Sequence, residues 1–150
     1  MNLVILRIFL TIVAILHLEM DQLDVVSAFL NSEIDTEVFL HQPEGFHLGR
    51  QYFCNLHKSI YGLCQGARSW YMVLHSVLTE DESKRSMVDL ACWVKRGDSL
   101  RSLCMLIAWV DDILTAGSRE KVNANKRHLS TKFKVKDQGP VDVFIDIKIK

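Results

Sequence analysis

A chain of 150 residues is long enough to bury one hydrophobic core, and 49% hydrophobic against 24% charged residues excludes intrinsic disorder. Lysine plus arginine and aspartate plus glutamate stand at 18 each, and this neutrality argues against an independent, charge-driven nucleic-acid binder. It leaves open a catalytic core whose other parts supply the basic surface. Cys54, Cys64, Cys92 and Cys104 never form a CxxC, and the six histidines show no zinc-ligand spacing, so buried or incidental thiols in a reducing compartment are expected.

Residues 3–16 are apolar almost throughout, broken by Arg7 and Thr11. The stretch is too short for a membrane span and its charge layout is poor for a signal peptide, so a buried helix is expected, with a targeting segment as the alternative. Gln22-Leu23-Asp24-Val25-Val26 reads as a short strand entering Ser27-Ala28-Phe29-Leu30-Asn31. Its one carboxylate either finds a partner such as a metal ion or caps the next turn. Glu37-Val38-Phe39-Leu40-His41 predicts another strand, closed by a turn at Gln42-Pro43-Glu44-Gly45.

Tyr61 to Gly66 leads into a helix over 67–79 with Trp70, Leu74, Val77 and Leu78 on one face. Gln65 and Arg68, where that helix begins, and Lys58 before them either face a ligand or form ordinary solvated surface. A charged connection over 81–85 precedes a strand over 89–95 and a turn at Arg96-Gly97-Asp98.

The apolar run over 103–117 is interrupted only by Asp111 and Asp112, which predicts a β-hairpin with the two aspartates at or near its tip. Two charges between buried strands need compensation, and a divalent cation is one compensator; a plain polar turn is the other reading. Ser118 can cap a helix from Arg119 to about Phe133, with Val122, Leu129 and Phe133 inward and a basic face turned to solvent or along nucleic acid. Asp137-Gln138-Gly139-Pro140 predicts a turn, and the alternation of Val141, Val143, Ile145, Ile147 and Ile149 predicts a half-buried strand. With no repeat or linker, one domain over 1–150 is expected.

Five ordered blocks resemble the reverse transcriptase domain of copia-type retrotransposon polyproteins. They are Leu18-Glu19-Met20-Asp21-Gln22-Leu23-Asp24-Val25 with Ala28-Phe29-Leu30-Asn31; Gln42-Pro43-Glu44-Gly45-Phe46; Lys58-Ser59-Ile60-Tyr61-Gly62-Leu63 with Gln65, Arg68 and Trp70; Val110-Asp111-Asp112-Ile113-Leu114 with Ala116-Gly117; and Lys136-Asp137 with Gly139 and Phe144. The resemblance implies an α+β fold, a truncated reverse transcriptase palm in which an antiparallel sheet packs against helices. It implies that Asp24, Asp111 and Asp112 are the catalytic, metal-binding carboxylates, holding Mg²⁺ (or Mn²⁺) for two-metal nucleotidyl transfer. It places Phe29 beneath the incoming sugar, Gln65 against the incoming nucleotide or the template, Arg68 on the nucleotide side, and residues 144–149 as a strand supporting the primer end.

The implied partners are an RNA or DNA template–primer and deoxynucleoside triphosphates, with no membrane, at an intracellular site in cytoplasm or nucleus. Departures accompany the likeness. Cys64 and Ala67 stand where the family usually has Lys and Pro, Asp146 where it has Gly, Trp109 where it has Tyr, and Ser32 where glycine is common. The family's upstream fingers segment and downstream thumb and ribonuclease H regions have no counterpart, so weak or absent activity of the isolated chain is expected. A non-catalytic transposon-derived relic or interaction module is the competing reading. A metal-dependent nucleotide enzyme on a similar sheet ranks below both.

Overall fold

The computed structural model describes residues 2–97 and 102–149. In chain order the elements are α1 (Leu3–Ile15), β1 (Glu19–Val25), a short 3-10 helix (Ala28–Asn31), β2 (Phe39–His41), β3 (Phe53–Asn55), α2 (Gly66–Glu80), β4 (Lys84–Arg85), β5 (Cys92–Lys95), β6 (Cys104–Trp109), β7 (Asp112–Gly117), α3 (Arg119–Lys132), β8 (Val135–Pro140), β9 (Val143–Phe144) and β10 (Ile147–Lys148). The chain divides into two compact units, Met1–Val26 with Leu74–Lys150, and Ser27–Val73. The fold class is α+β, as expected.

The first unit is built on a six-stranded sheet of order β4-β5-β6-β7-β1-β8 with every neighbouring pair antiparallel. Alternation along β1 divides its residues between two faces. Met20 packs with the cluster beneath α1, whereas Asp21, on the opposite face, meets cations from α3. In α1 the Asn2 side chain accepts from the Val4 N–H at 2.9 Å, capping the helix start. Leu6, Phe9 and Val13, three and four residues apart, then form one stripe against Met105, Ile107, Leu114, Ala116 and Phe144. Each such side chain removed from water contributes about 1.5–3 kcal/mol. The other side of α1 is apolar too, and Leu3, Val4, Ile8 and Ile15 remain exposed. No helix among the described residues is long and apolar enough to cross a membrane.

The Ser118 side chain accepts from the Lys121 N–H, capping α3 as expected, and Val122, Leu129 and Phe133 are buried. Trp70, Leu74, Val77 and Leu78 of α2 are likewise buried on one face. Cys92 and Cys104 are buried free thiols; burial pushes Cys92 up to about 11 and raises Cys104, which leaves both protonated and unreactive. Cys54 is half-buried and Cys64 exposed.

The second unit holds β2 and β3, paired Phe39↔Asn55, Leu40↔Cys54 and His41↔Phe53, with a further bridge Glu33↔Lys58. The expected turn at 42–45 is present: Gly45 has φ 84° and the Phe46 N–H donates to the Pro43 carbonyl at 3.1 Å. Gln42 ties down the loop between β2 and β3. Its amide donates to the carbonyls of Gly49 and Tyr52 at 2.7 and 2.8 Å.

Several expectations need correction. Residues 137–140 are not a turn but part of β8, where the register against β1 slips from Gln22↔Gly139 to Leu23↔Asp137. The turn-forming composition serves a β-bulge, with Gly139 at φ 74°. Residues 141–149 are not one strand but the hairpin β9–β10, reversed at Ile145 and Asp146, both with positive φ (49° and 58°). The strand expected at 22–26 begins earlier, at Glu19, and the connection over 81–85 ends in β4. The turn expected at 96–98 runs into Asp98, which lies outside the described residues.

Candidate active site

β6 ends at Trp109 and β7 begins at Asp112, so Val110 and Asp111 form the tip of the hairpin. Val110 has φ 57°, a left-handed conformation that a β-branched residue adopts only at a cost of about 1–3 kcal/mol and only where its surroundings fix it. This strain brings the two strands together at the carboxylates. The Val25 N–H donates to the Asp111 carbonyl at 2.8 Å, and Asp24 on β1 lies directly opposite Asp112 on β7. Pairs next to a hydrogen-bonded pair are the closely spaced ones in an antiparallel ladder, with Cα atoms about 4.5 Å apart. A single row therefore crosses four strands: Trp109, Asp112, Asp24, Lys136.

Gln22, two residues before Asp24 and on the same face of β1, is buried and donates its amide to Asp112 Oδ1 at 3.1 Å. Among the described residues Asp24 has one ion pair, with Lys136, whose ammonium is 3.5 Å from Oδ2 and whose side chain is 71% exposed. Burial raises the carboxyl of Asp112 above its ordinary range; Gln22 opposes that shift, and Asp111 and Asp24 add to it by like-charge repulsion. Burial and like charge thus work against ionisation of Asp112. Three hard carboxylates in this condition are chemically suited to a divalent cation. Yet the side chains are not gathered around a common point, and among the described residues no three His, Cys, Asp or Glu groups form a ready metal cluster. Gln22 holds Asp112 and Lys136 draws on Asp24, and a bound ion would have to displace the lysine.

The remaining expected site residues, Phe29, Gln65 and Arg68, belong to the second unit. Phe29 is buried in the short 3-10 helix, its ring edge-to-face with Tyr61 at a centroid distance of 4.3 Å. Gln65 is half-buried immediately before α2 and its carbonyl accepts from the Ser69 N–H, while Arg68 is exposed in the first turn. The basic face of α3 is largely committed within the chain. Arg119 pairs with Glu19 and Asp21, Lys126 with Asp21 and Asp137, and Lys132 with Glu80.

Gln22 and Lys136 escape a reading of the sequence as site residues, because neither stands beside the aspartates in the chain. The period of two places Gln22 on Asp24's face, and that is the available signal for it. Lys136 joins the row only through the register of β8.

Comparison with known proteins identifies the family of the chain. The family described as reverse transcriptase (RNA-dependent DNA polymerase) matches the chain over residues 1–150. The chain is 37% identical over 147 residues to the Retrovirus-related Pol polyprotein from transposon TNT 1-94 of Nicotiana tabacum, covering 96% of this chain and 11% of that protein. It is 35% identical over 133 residues to the corresponding polyprotein from transposon RE1 of Arabidopsis thaliana, covering 86% and 9%. It is 32% identical over 111 residues to the Transposon Ty1-NL2 Gag-Pol polyprotein of Saccharomyces cerevisiae, covering 73% and 6%. The chain therefore spans about a tenth or less of these relatives. No solved structure gives a significant match. With its sheet, its ordered blocks and these relatives in agreement, the chain belongs to the reverse transcriptase (RNA-dependent DNA polymerase) family, as a reverse transcriptase-like domain of copia-type Pol polyproteins.

Proposed function

We propose that the first unit is the palm of an RNA-directed DNA polymerase and that Asp24, Asp111 and Asp112 are its catalytic carboxylates. The observation that carries this reading is the direct opposition of Asp24 and Asp112 across β1 and β7, with Asp111 at the adjoining tip. Asp24 and Asp111 would be the principal ligands of Mg²⁺ or Mn²⁺, with Asp112 in part supportive. When bound, the ions activate a primer 3′-hydroxyl and stabilise departing pyrophosphate. The chain's own part is to aim the carboxylates: Gln22 fixes Asp112, and Lys136 pairs with Asp24. Phe29, Gln65 and Arg68 serve the deoxynucleoside triphosphate, Phe29 by limiting the space for a 2′-hydroxyl.

The test is primer extension on an RNA template by the purified chain with Mg²⁺ or Mn²⁺, beside Asp111→Asn. Weak, distributive extension that the substitution lowers by at least a hundredfold is expected. The ungathered carboxylates favour one competing reading, a relic that keeps the fold without turnover. Absence of extension by a protein with native circular dichroism would decide for that reading.

A further inference from the structure

The first unit carries a cleft away from the carboxylates, lined by charged and hydroxyl-bearing side chains together with Met87 and Val94. A cavity of about 830 Å³ opens at the β4 edge of the sheet and is lined by Lys84, Arg85 and Arg96 with the hydroxyl-bearing Ser83 and Ser86; Glu82 is its one acidic residue. In a chain with no net charge, three cations around one cavity are a local excess. Several other cations are paired within the chain: Lys95 with Asp81, Arg119 with Glu19 and Asp21, Lys126 with Asp21 and Asp137, and Lys132 with Glu80. Lys84 and Arg96 make no ion pair among the described residues.

Register fixes where this cleft lies. Lys84 pairs with Val94, Val94 with Met105, Met105 with Ala116 and Ala116 with Met20, one row across five strands. Ala116 is four residues from Asp112 along β7, and an even step keeps both on one face. Lys84 therefore shares the sheet face of Asp24 and Asp112, three strands from Asp112 and four from Asp24, and with the four-residue offset it lies about 20 Å from Asp112 at ~4.8 Å per strand and ~3.4 Å per residue, with α1 on that face between them. Among the described residues the outer edge of β4 has no neighbouring strand, its one partner there being β5.

We infer that this edge cleft binds backbone phosphates of the template–primer, as an anchoring site separate from the carboxylates. The inference rests on the polymerase reading for the identity of the polyanion. A guanidinium and an ammonium around a hydroxyl-bearing cleft suit phosphodiester oxygens, the first by a planar fork and the second as a point charge. Such contacts hold the polymer without reading its sequence. Charged residues on an edge strand otherwise serve to prevent edge-to-edge pairing, and the experiment separates the two roles.

The experiment is fluorescence anisotropy with an RNA–DNA hybrid of about 20 base pairs in EDTA, titrated between ~50 and ~200 mM salt. Lys84→Ala/Arg96→Ala should reduce the slope of log affinity against log salt by about 1.8, two contacts at ~0.9 each, and weaken binding at least tenfold near 100 mM. Lys84→Arg/Arg96→Lys should restore both. Unchanged slope and affinity in a double alanine variant with native circular dichroism overturn the inference, whether or not Asp111-dependent extension is seen. Deoxynucleoside triphosphate binding that shows the same two-residue dependence while hybrid binding does not overturns it as well. Loss of hybrid binding in the double variant upholds it even where the native chain extends no primer.

Discussion

Asp21 and Asp24 lie three residues apart on one strand and face opposite sides of the sheet. Asp21 is 1% exposed and fully engaged on one oxygen, where Arg119 reaches it at 2.8 Å and Lys126 more closely still. Lys126 also holds Asp137, and although burial alone would lower its ammonium, its bonds to Asp137 and Asp21 raise it. Asp24, by contrast, stands opposite a second carboxylate, and its one ion pair among the described residues is with the exposed Lys136 at 3.5 Å. The same residue type on the same strand thus locks α3 to the sheet on one side and is left under-neutralised on the other. A carboxylate surrounded by the chain's own cations has a structural role. One that stands opposite another carboxylate and pairs with a single exposed lysine is available to an external cation.

The sharpest way to break this contrast is to neutralise each aspartate in turn. Asp21→Asn leaves Lys126 without its buried counter-charge and should destabilise the protein by about 3 kcal/mol, at the low end for a broken buried pair because Arg119 can return to water. Asp24→Asn removes repulsion as well as an exposed pair and should change stability by less than ~1 kcal/mol. Urea unfolding of both variants checks the difference; equal losses would mean that Asp24, too, is a structural residue.

How much of this is legible in the sequence depends on whether the signal is local. The hairpin over 103–117 and the cap at Ser118 are carried by neighbours in sequence, and both are found where expected. The hairpin at 143–148 is hidden because Ile145 and Asp146 break no alternation and Ile145 is a poor residue for positive φ. Asp137 to Pro140 misleads for the opposite reason, since a bulge and a turn draw on the same residues. At the candidate site, the adjacency of Asp111 and Asp112 is visible in the chain. Their relation to Asp24, Gln22 and Lys136 exists only once β1 is registered against β7 and β8.

Gln22 offers a finer probe of the under-neutralised side. Gln22→Met keeps the side chain's length and removes the amide that Asp112 accepts from, so a part-buried carboxylate oxygen loses its donor. A cost of about 1–2 kcal/mol is expected in the native background. In an Asp112→Asn background the loss should shrink by at least half, the non-additivity of a contacting pair. Equal losses in both backgrounds would assign the cost of Gln22→Met to packing alone.

The smallest effect, and the one that states the contrast as a sign, is the pH dependence of Asp112→Asn. The folded protein holds the Asp112 carboxyl above its ordinary value of 3.8, chiefly by burial, so the folded chain binds that proton more tightly than the unfolded chain does. Stability then falls as pH rises through the window above 3.8 and the penalty stays constant beyond it; well below 3.8 both states are protonated and the penalty vanishes. Asp112→Asn should therefore match the native chain near pH ~3 and gain on it above pH ~5, by less than ~1 kcal/mol because water screens a part-exposed group. Asp137 has the opposite sign. Its hydrogen bond from Lys126 lowers its carboxyl, so its contribution is present above the unfolded value and is lost as acid titrates the folded state. Urea midpoints measured from pH ~3 to ~7 should accordingly diverge in opposite directions for Asp112→Asn and Asp137→Asn. Curves that move together would mean that the two sides of β1 do not differ in how their charge is compensated.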